Sequence, residues 1–221
     1  VTSDQSVNAS DDSSPKFKFV YVRAADGANN FAAAANQIQR SIALMRDFIY
    51  RSTGGAKTVA IDLGTDCGTD YADIQSYTLA HNASYYEDGS GDPDINKYID
   101  ELQAIYAKTT PTRHYVFFAD QTFPTGSSMG IGLTMLDDSP GSGNRNNKSG
   151  SPAIVFGPKG SYTQGLYNKM PGLILHEMTH TMGGVQESAP RATSAGHCTD
   201  GNDVMCYDDG SPEAAGYSTG R

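Results

Sequence analysis

No apolar run in this chain approaches the ~20 residues that a membrane-spanning helix needs. The longest, such as Phe31–Ala35 and Val116–Ala119, are short pieces, so a membrane partner is not expected. Basic charge is scarce as well: 16 Lys+Arg stand against 25 Asp+Glu, for a net charge of −9. Nucleic-acid backbones are bound through stripes of Lys and Arg, which excludes that class of partner. An acidic surface serves solubility and by itself points to no ligand. Cysteine is sparse, with Cys67, Cys198 and Cys206, an odd count that allows one disulfide and one leftover thiol. What is present is the composition of a folded domain, 38% hydrophobic and 19% charged over 221 residues. A chain of this length buries roughly 70–75% of its unfolded surface, in one domain or in two lobes around a cleft.

Residues 1–15 are rich in Ser and Asp without periodicity and read as a mobile tail, of the kind a cleaved pro-segment leaves. Phe17–Val22 alternates aromatic and β-branched residues and predicts a first strand. Ile38, Ile42, Met45 and Ile49 share one face of a helix over 31–52, which Gly54-Gly55 ends. Thr58–Leu63 predicts a second strand, residues 64–72 a polar connection, and Ile74–Leu79 a third strand. Asp92-Pro93 opens a second helix, with Pro in the first turn, where its missing N–H costs nothing. Its buried stripe is Ile95, Ile99, Leu102 and Tyr106, and Pro111 stops it.

His114–Ala119 is the most apolar run and predicts the central strand. Residues 121–151 are rich in Gly, Ser and Asn, with one apolar piece, Ile131–Leu136, and a surface loop over 137–151. Ala153–Phe156 predicts a short strand and Leu166–Met182 a helix stopped by Gly183-Gly184; residues 185–221 show no period. Strands alternating with helices imply an α/β fold, a twisted sheet with helices packed on it.

The last helix contains His176-Glu177-Met178-Thr179-His180. Histidines four apart lie one turn apart on one helix face, so both rings can reach one ion, and neutral imidazole is a good zinc ligand. Glu177 sits about 100° round the helix from His176. From there it reaches a water beside the metal and can act as general base, while zinc lowers the water pKa and polarises the scissile carbonyl. Such a pattern also arises by chance on surface helices. Here Leu173, Ile174 and Leu175 precede it, so the helix enters a core, where uncompensated His and Glu would be costly.

Extended to Gly183, the segment HEMTHTMG resembles the HExxHxxG signature of the metzincin clan of zinc endopeptidases. A glycine at that point can take φ > 0 and turn the chain sharply back toward the metal. Metzincins add a third ligand and, farther on, a tight turn around a methionine beneath the zinc. Asp203-Val204-Met205-Cys206-Tyr207 looks like that Met-turn, with Met205 as its methionine. Tyr207 matches the tyrosine that astacin-like and serralysin-like metzincins place beside the zinc, where it can ligate the metal or hydrogen-bond the tetrahedral intermediate.

The chain departs from the family at the third ligand. The position three past Gly183 is Gln186, a neutral amide and a weak donor. Other candidates are His197, after an insertion over 184–196, and Asp200 or Asp203. Imidazole binds zinc more firmly than an amide, and Asp203 adjoins the Met-turn, where it is better placed as a cap. The expected set is therefore His176, His180 and His197 with one water, leaving Gln186 to anchor the loop. The segment from His197 and Cys198 to Met205 is similar to that of archaemetzincins. A bridge between Cys198 and Cys206 would staple the third-ligand loop to the Met-turn; the alternative is that either pairs with Cys67.

The resemblance implies a metzincin-like mixed sheet with backing and active-site helices at 16–183, over a smaller irregular subdomain at 184–221. Substrate would lie extended between them along an antiparallel edge strand, for which Ala153–Phe156 is the candidate. Asp208-Asp209-Gly210 would form a wall of the cleft, and an acidic wall would favour a basic residue in the substrate. The function implied is a secreted, monomeric zinc endopeptidase acting on protein or peptide. A gluzincin-type peptidase with Glu213 as third ligand is one alternative. Another is a zinc-stabilised binding protein without turnover, against which the intact Glu177 speaks. The chain opens at Val1 with no charged or apolar leader ahead of the fold, so either a leader has been removed or the sequence has been trimmed. Sequons at Asn8, Asn82 and Asn147 would matter only in a eukaryotic secretory pathway.

Overall fold

The computed structural model describes residues 15–106, 113–123, 130–147, 151–157, 164–201 and 203–214, with 164–169 described by their backbone alone. The expected tail therefore lies outside the described residues, apart from Pro15. Strand β1 (Lys16–Arg23) takes up the alternation of its sequence directly. Phe17, Phe19 and Tyr21 face one side of the sheet, while Val20 and Val22 face the other. Helix α1 (Phe31–Ser52) follows and buries Ala34, Ala35, Ile38, Ile42 and Met45 against the first side. A short hairpin of β2 (Leu63–Thr65) and β3 (Gly68–Ala72) leads into β4 (Ile74–Thr78). Helix α2 (Ile95–Tyr106) covers the second side with Tyr98, Leu102 and Tyr106.

Then come β5 (Arg113–Ala119), β6 (Gly130–Gly132), β7 (Ala153–Phe156) and α3 (Gln164–Thr181). The sheet order is β4-β1-β5-β7-β6. The first four strands run parallel and β6 antiparallel to β7. The result is an α/β fold with α1 and α3 on one face of the sheet and α2 on the other. β5 is central and buried along its whole length, as parallel strands covered on both faces are. No helix among the described residues is long and apolar enough to cross a membrane.

Four expectations need correction. The segment Thr58–Leu63 forms no strand of its own. β1 is paired with β5 over Lys16–Val22 on one side and with β4 from Phe19 onward on the other. Only the opening at Phe17 remains, where Ile61 makes a single parallel bridge, held by Phe17 N–H to the Ala60 carbonyl and Asp62 N–H to the Phe17 carbonyl, both 2.9 Å. The polar connection at 64–72 is instead the β2–β3 hairpin.

The second helix begins at Ile95 rather than Asp92. Pro93 is bridged to Glu87 and so belongs to the preceding turn. Ala153–Phe156 is not an edge strand: β5 occupies one side and β6 the other, and the edge is β6, the glycine-flanked tripeptide Gly130-Ile131-Gly132.

Candidate metal centre

Met170, Ile174, Leu175 and Met178 bury one face of α3 in the core shared with β1, β5 and β7. The helical period then carries His176, Glu177 and His180 to the rim of that face. The helix closes in a Schellman arrangement, with Gly183 N–H donating to the His180 carbonyl at 2.9 Å and Gly184 N–H to the Thr179 carbonyl at 3.0 Å. Gly183 has φ +90, a conformation that costs a residue with a Cβ dearly. A Cβ there would also come within 2.8 Å of the Asn146 side chain.

Past this turn the chain is irregular and is held by short-range bonds. Thr193 N–H donates to the His197 carbonyl at 2.8 Å, and Cys198 N–H to the Met205 carbonyl at 3.2 Å. A disulfide joins Cys198 to Cys206, and Cys67 is free and exposed. Cys198, Met205 and Cys206 are buried together, with Val185 and Val204 packed on them. Asp203 caps this turn, its Oδ1 accepting from Met205 N–H at 2.8 Å.

These two pieces bring three imidazoles together. His180 Nε2 lies 3.2 Å from His176 Nε2 and 3.2 Å from His197 Nε2. Each ring's other nitrogen faces an acceptor: His176 Nδ1 the Val204 carbonyl at 2.8 Å, His180 Nδ1 the Gly184 carbonyl at 3.1 Å, His197 Nδ1 the Asp209 carboxylate at 2.9 Å. Those acceptors place the proton on Nδ1, so three Nε2 lone pairs point into one space. Lone pairs at that separation repel unless a cation lies between them. Tetrahedral ligands about 2.0–2.1 Å from zinc stand about 3.3–3.4 Å apart, so the donor set fits zinc. The rings are 7–9% exposed. Burial, followed by the neighbouring histidines, pulls His180 down to about 4, and burial likewise lowers His176. Both are therefore neutral, as ligation requires.

Glu177 is buried beside them. Burial pushes its carboxyl up to about 8, against the pull of a hydrogen bond from the Gly132 backbone. Its neighbour across the site is β6. A Cβ on Gly130 would lie 2.6 Å from Glu177 Oε1, and one on Gly132 would collide with the Glu177 carbonyl and lie 2.6 Å from His180 Cβ. Tyr207 is 45% exposed, with its hydroxyl 3.1 Å from His197 Nε2. The site thus combines three imidazole nitrogen donors, one carboxylate able to gain or lose a proton, and one phenol at its open side.

No family pattern and no curated protein matches this chain. Among solved structures it is similar to the archaemetzincin of Methanopyrus kandleri, at 14% identity and a TM-score of 0.43 over 87% of this chain and 82% of that one. It is also similar to OgpA of Akkermansia muciniphila, at 16% and 0.44 over 81% and 50%. A third is metalloproteinase-II of Bacteroides fragilis, at 16% and 0.42 over 90% and 48%. The chain spans about half the length of the last two. Likeness at this level decides nothing about activity.

The other third-ligand candidates point elsewhere. Gln186 donates to the Met135 carbonyl at 3.0 Å, and Asp200 pairs with Arg191 on the surface at 3.2 Å. Exposed Glu213 accepts from the Ser194 hydroxyl at 3.1 Å, not from the histidine group. Asp209, read from sequence as part of an acidic cleft wall, turns its side chain inward to His197 and is only 3% exposed there. Sequence reasoning also passed over Gly130 and Gly132. Glycines two apart in a strand share one face and mark a close approach of another backbone, and that signal was available.

Proposed function

We propose that this chain is a secreted zinc-dependent endopeptidase of the metzincin type, acting on protein or peptide substrates. The observation that carries the reading is the convergence of three unprotonated Nε2 atoms beside a buried carboxylate. His176, His180 and His197 would hold the zinc, which when bound supplies a Lewis acid for the scissile carbonyl and a water of lowered pKa. Glu177 takes the proton of the attacking water on its carboxylate and returns it to the leaving amine. Tyr207, through its hydroxyl, donates to the oxyanion that develops at the carbonyl.

Substrate lies extended in the cleft between residues 16–183 and 184–221, adding to the free edge of β6 by main-chain hydrogen bonds. Glycine at both ends of that strand lets it close onto Glu177 and His180 of α3, which sets this edge beside the histidines. The Cys198–Cys206 bridge supports an oxidising, extracellular setting. The test is cleavage of denatured casein or gelatin by protein carrying one zinc per chain. Activity should vanish with a chelator and return with zinc. Glu177→Gln should keep the zinc and lose roughly 10²–10⁴-fold in turnover. A chain that binds zinc yet cleaves neither substrate would be a zinc-stabilised binding protein instead.

A further inference from the structure

We propose that Asp209 is the positioning residue for His197, orienting the imidazole of the one metal ligand that no helix holds; this rests on the zinc-centre reading above. The three ligands differ in how their rings are fixed. His176 and His180 are mounted on α3 and donate from Nδ1 to backbone carbonyls. His197 sits in irregular chain after Gly196, whose φ is +81, and there a carboxylate replaces the carbonyl.

Asp209 Oδ2 accepts from His197 Nδ1 at 2.9 Å and from the Thr193 hydroxyl at 2.6 Å, and the Thr193 oxygen in turn accepts His197 N–H at 3.1 Å. Asp209 Oδ1 accepts from Ser211 N–H at 2.9 Å. The His197 backbone and ring are thus closed into one polar ring with Thr193 and Asp209. Thr193 is 2% exposed and the Asp209 side chain 3%.

A buried carboxylate in this place does two things that a carbonyl cannot do as strongly. It fixes the tautomer with the proton on Nδ1, leaving Nε2 for the metal, and its charge makes Nε2 a better donor. It also sets a negative charge beside a centre whose three ligands are neutral, offsetting part of the charge of a divalent ion.

The experiment measures zinc affinity of the whole chain by competition with a chromophoric chelator. Asp209→Ala is expected to weaken zinc roughly 10–100-fold, the usual cost of losing such a partner. Asp209→Asn is isosteric and can still present an oxygen to Nδ1. It should lose less, and it carries the test if the alanine variant does not fold. Thr193→Val removes the hydroxyl's bonds to Asp209 and to the His197 N–H but spares the bond between Asp209 and the His197 ring, and should stay within about threefold of wild type. Nitrogen NMR of the His197 ring in metal-free protein should show the Nδ1–H tautomer depleted in Asp209→Ala and retained in Thr193→Val.

Wild-type affinity in both Asp209 variants would overturn the inference. So would equal losses in Thr193→Val and Asp209→Ala, because loop anchoring and not ring orientation would then be the cause. If the wild-type chain takes up no zinc, the metal-centre reading itself fails; if it does and the Asp209 variants match it, this inference alone fails.

Discussion

Gln186 stands where the spacing after Gly183 would put a third ligand, and its side chain is engaged elsewhere, donating to Met135 O and, at 3.3 Å, to the Thr134 hydroxyl. The same Met135 carbonyl accepts from Asn146 at 2.9 Å. Gln186 thereby ties the segment after β6 to the chain past the end of α3, and Asn146 braces that segment from within. His197→Ala is therefore expected to lose zinc and activity together, by more than the roughly 10–100-fold of an outer partner, whereas Gln186→Ala keeps its zinc. Metal content after gel filtration and a chelator titration check this; the reverse pattern would reassign the ligand. At this scale the sequence was informative wherever chemistry is local. His176, Glu177 and His180 are placed by a single helix, so their spacing alone predicts their geometry. Asp203 was legible as a cap for the same reason, being two residues from the N–H it satisfies. Asp209 was not, because its partner is twelve residues away across chain with no period.

Among the elements, α1 and α2 announced themselves by apolar spacing, and β1 by its alternation. β6 did not, since three residues with glycine at both ends carry neither a period nor β-propensity. Its place at the edge of the sheet, antiparallel to β7, comes from pairing between distant segments. Those glycines nonetheless set the distance between the edge strand and the helix that bears Glu177. Gly132→Ala forces a methyl group against the Glu177 backbone and His180 Cβ. Overpacking of this kind costs about 1–3 kcal/mol. Thermal unfolding should register that loss, and turnover should fall as α3 shifts away from β6. An alanine variant with unchanged stability and turnover would show that the strand is not seated this closely. The missing strand at 58–63 teaches the same lesson from the other direction: its residues suit a strand, but β1 has only one bridging position left to offer.

Taken whole, the molecule stacks one apolar layer on each face of its five-stranded sheet. It sets the polar site at one rim, where an irregular segment is pinned by a disulfide, a cap and contacts with α3. Such a segment gains little from regular hydrogen bonding, so a bound ion should contribute visibly to its stability. A ligand that binds only the folded chain stabilises it by RT ln(1 + [L]/Kd), about 2.7 kcal/mol at 100 Kd. The melting temperature is expected to rise with zinc concentration and fall when a chelator is added. A melting temperature indifferent to zinc would argue that no folded-state metal centre exists. Sequence alone determined the α/β class, the boundaries of α1, the donor types of the site and the candidates for its third ligand, because each rests on local periodicity or on side-chain chemistry. Tertiary structure decided which strand forms the edge, which candidate turns toward His176 and His180, and where Asp209 points. Those outcomes depend on which distant segments compete for one strand's hydrogen bonds and on how an irregular loop closes against a helix end, and no local pattern in the chain encodes either.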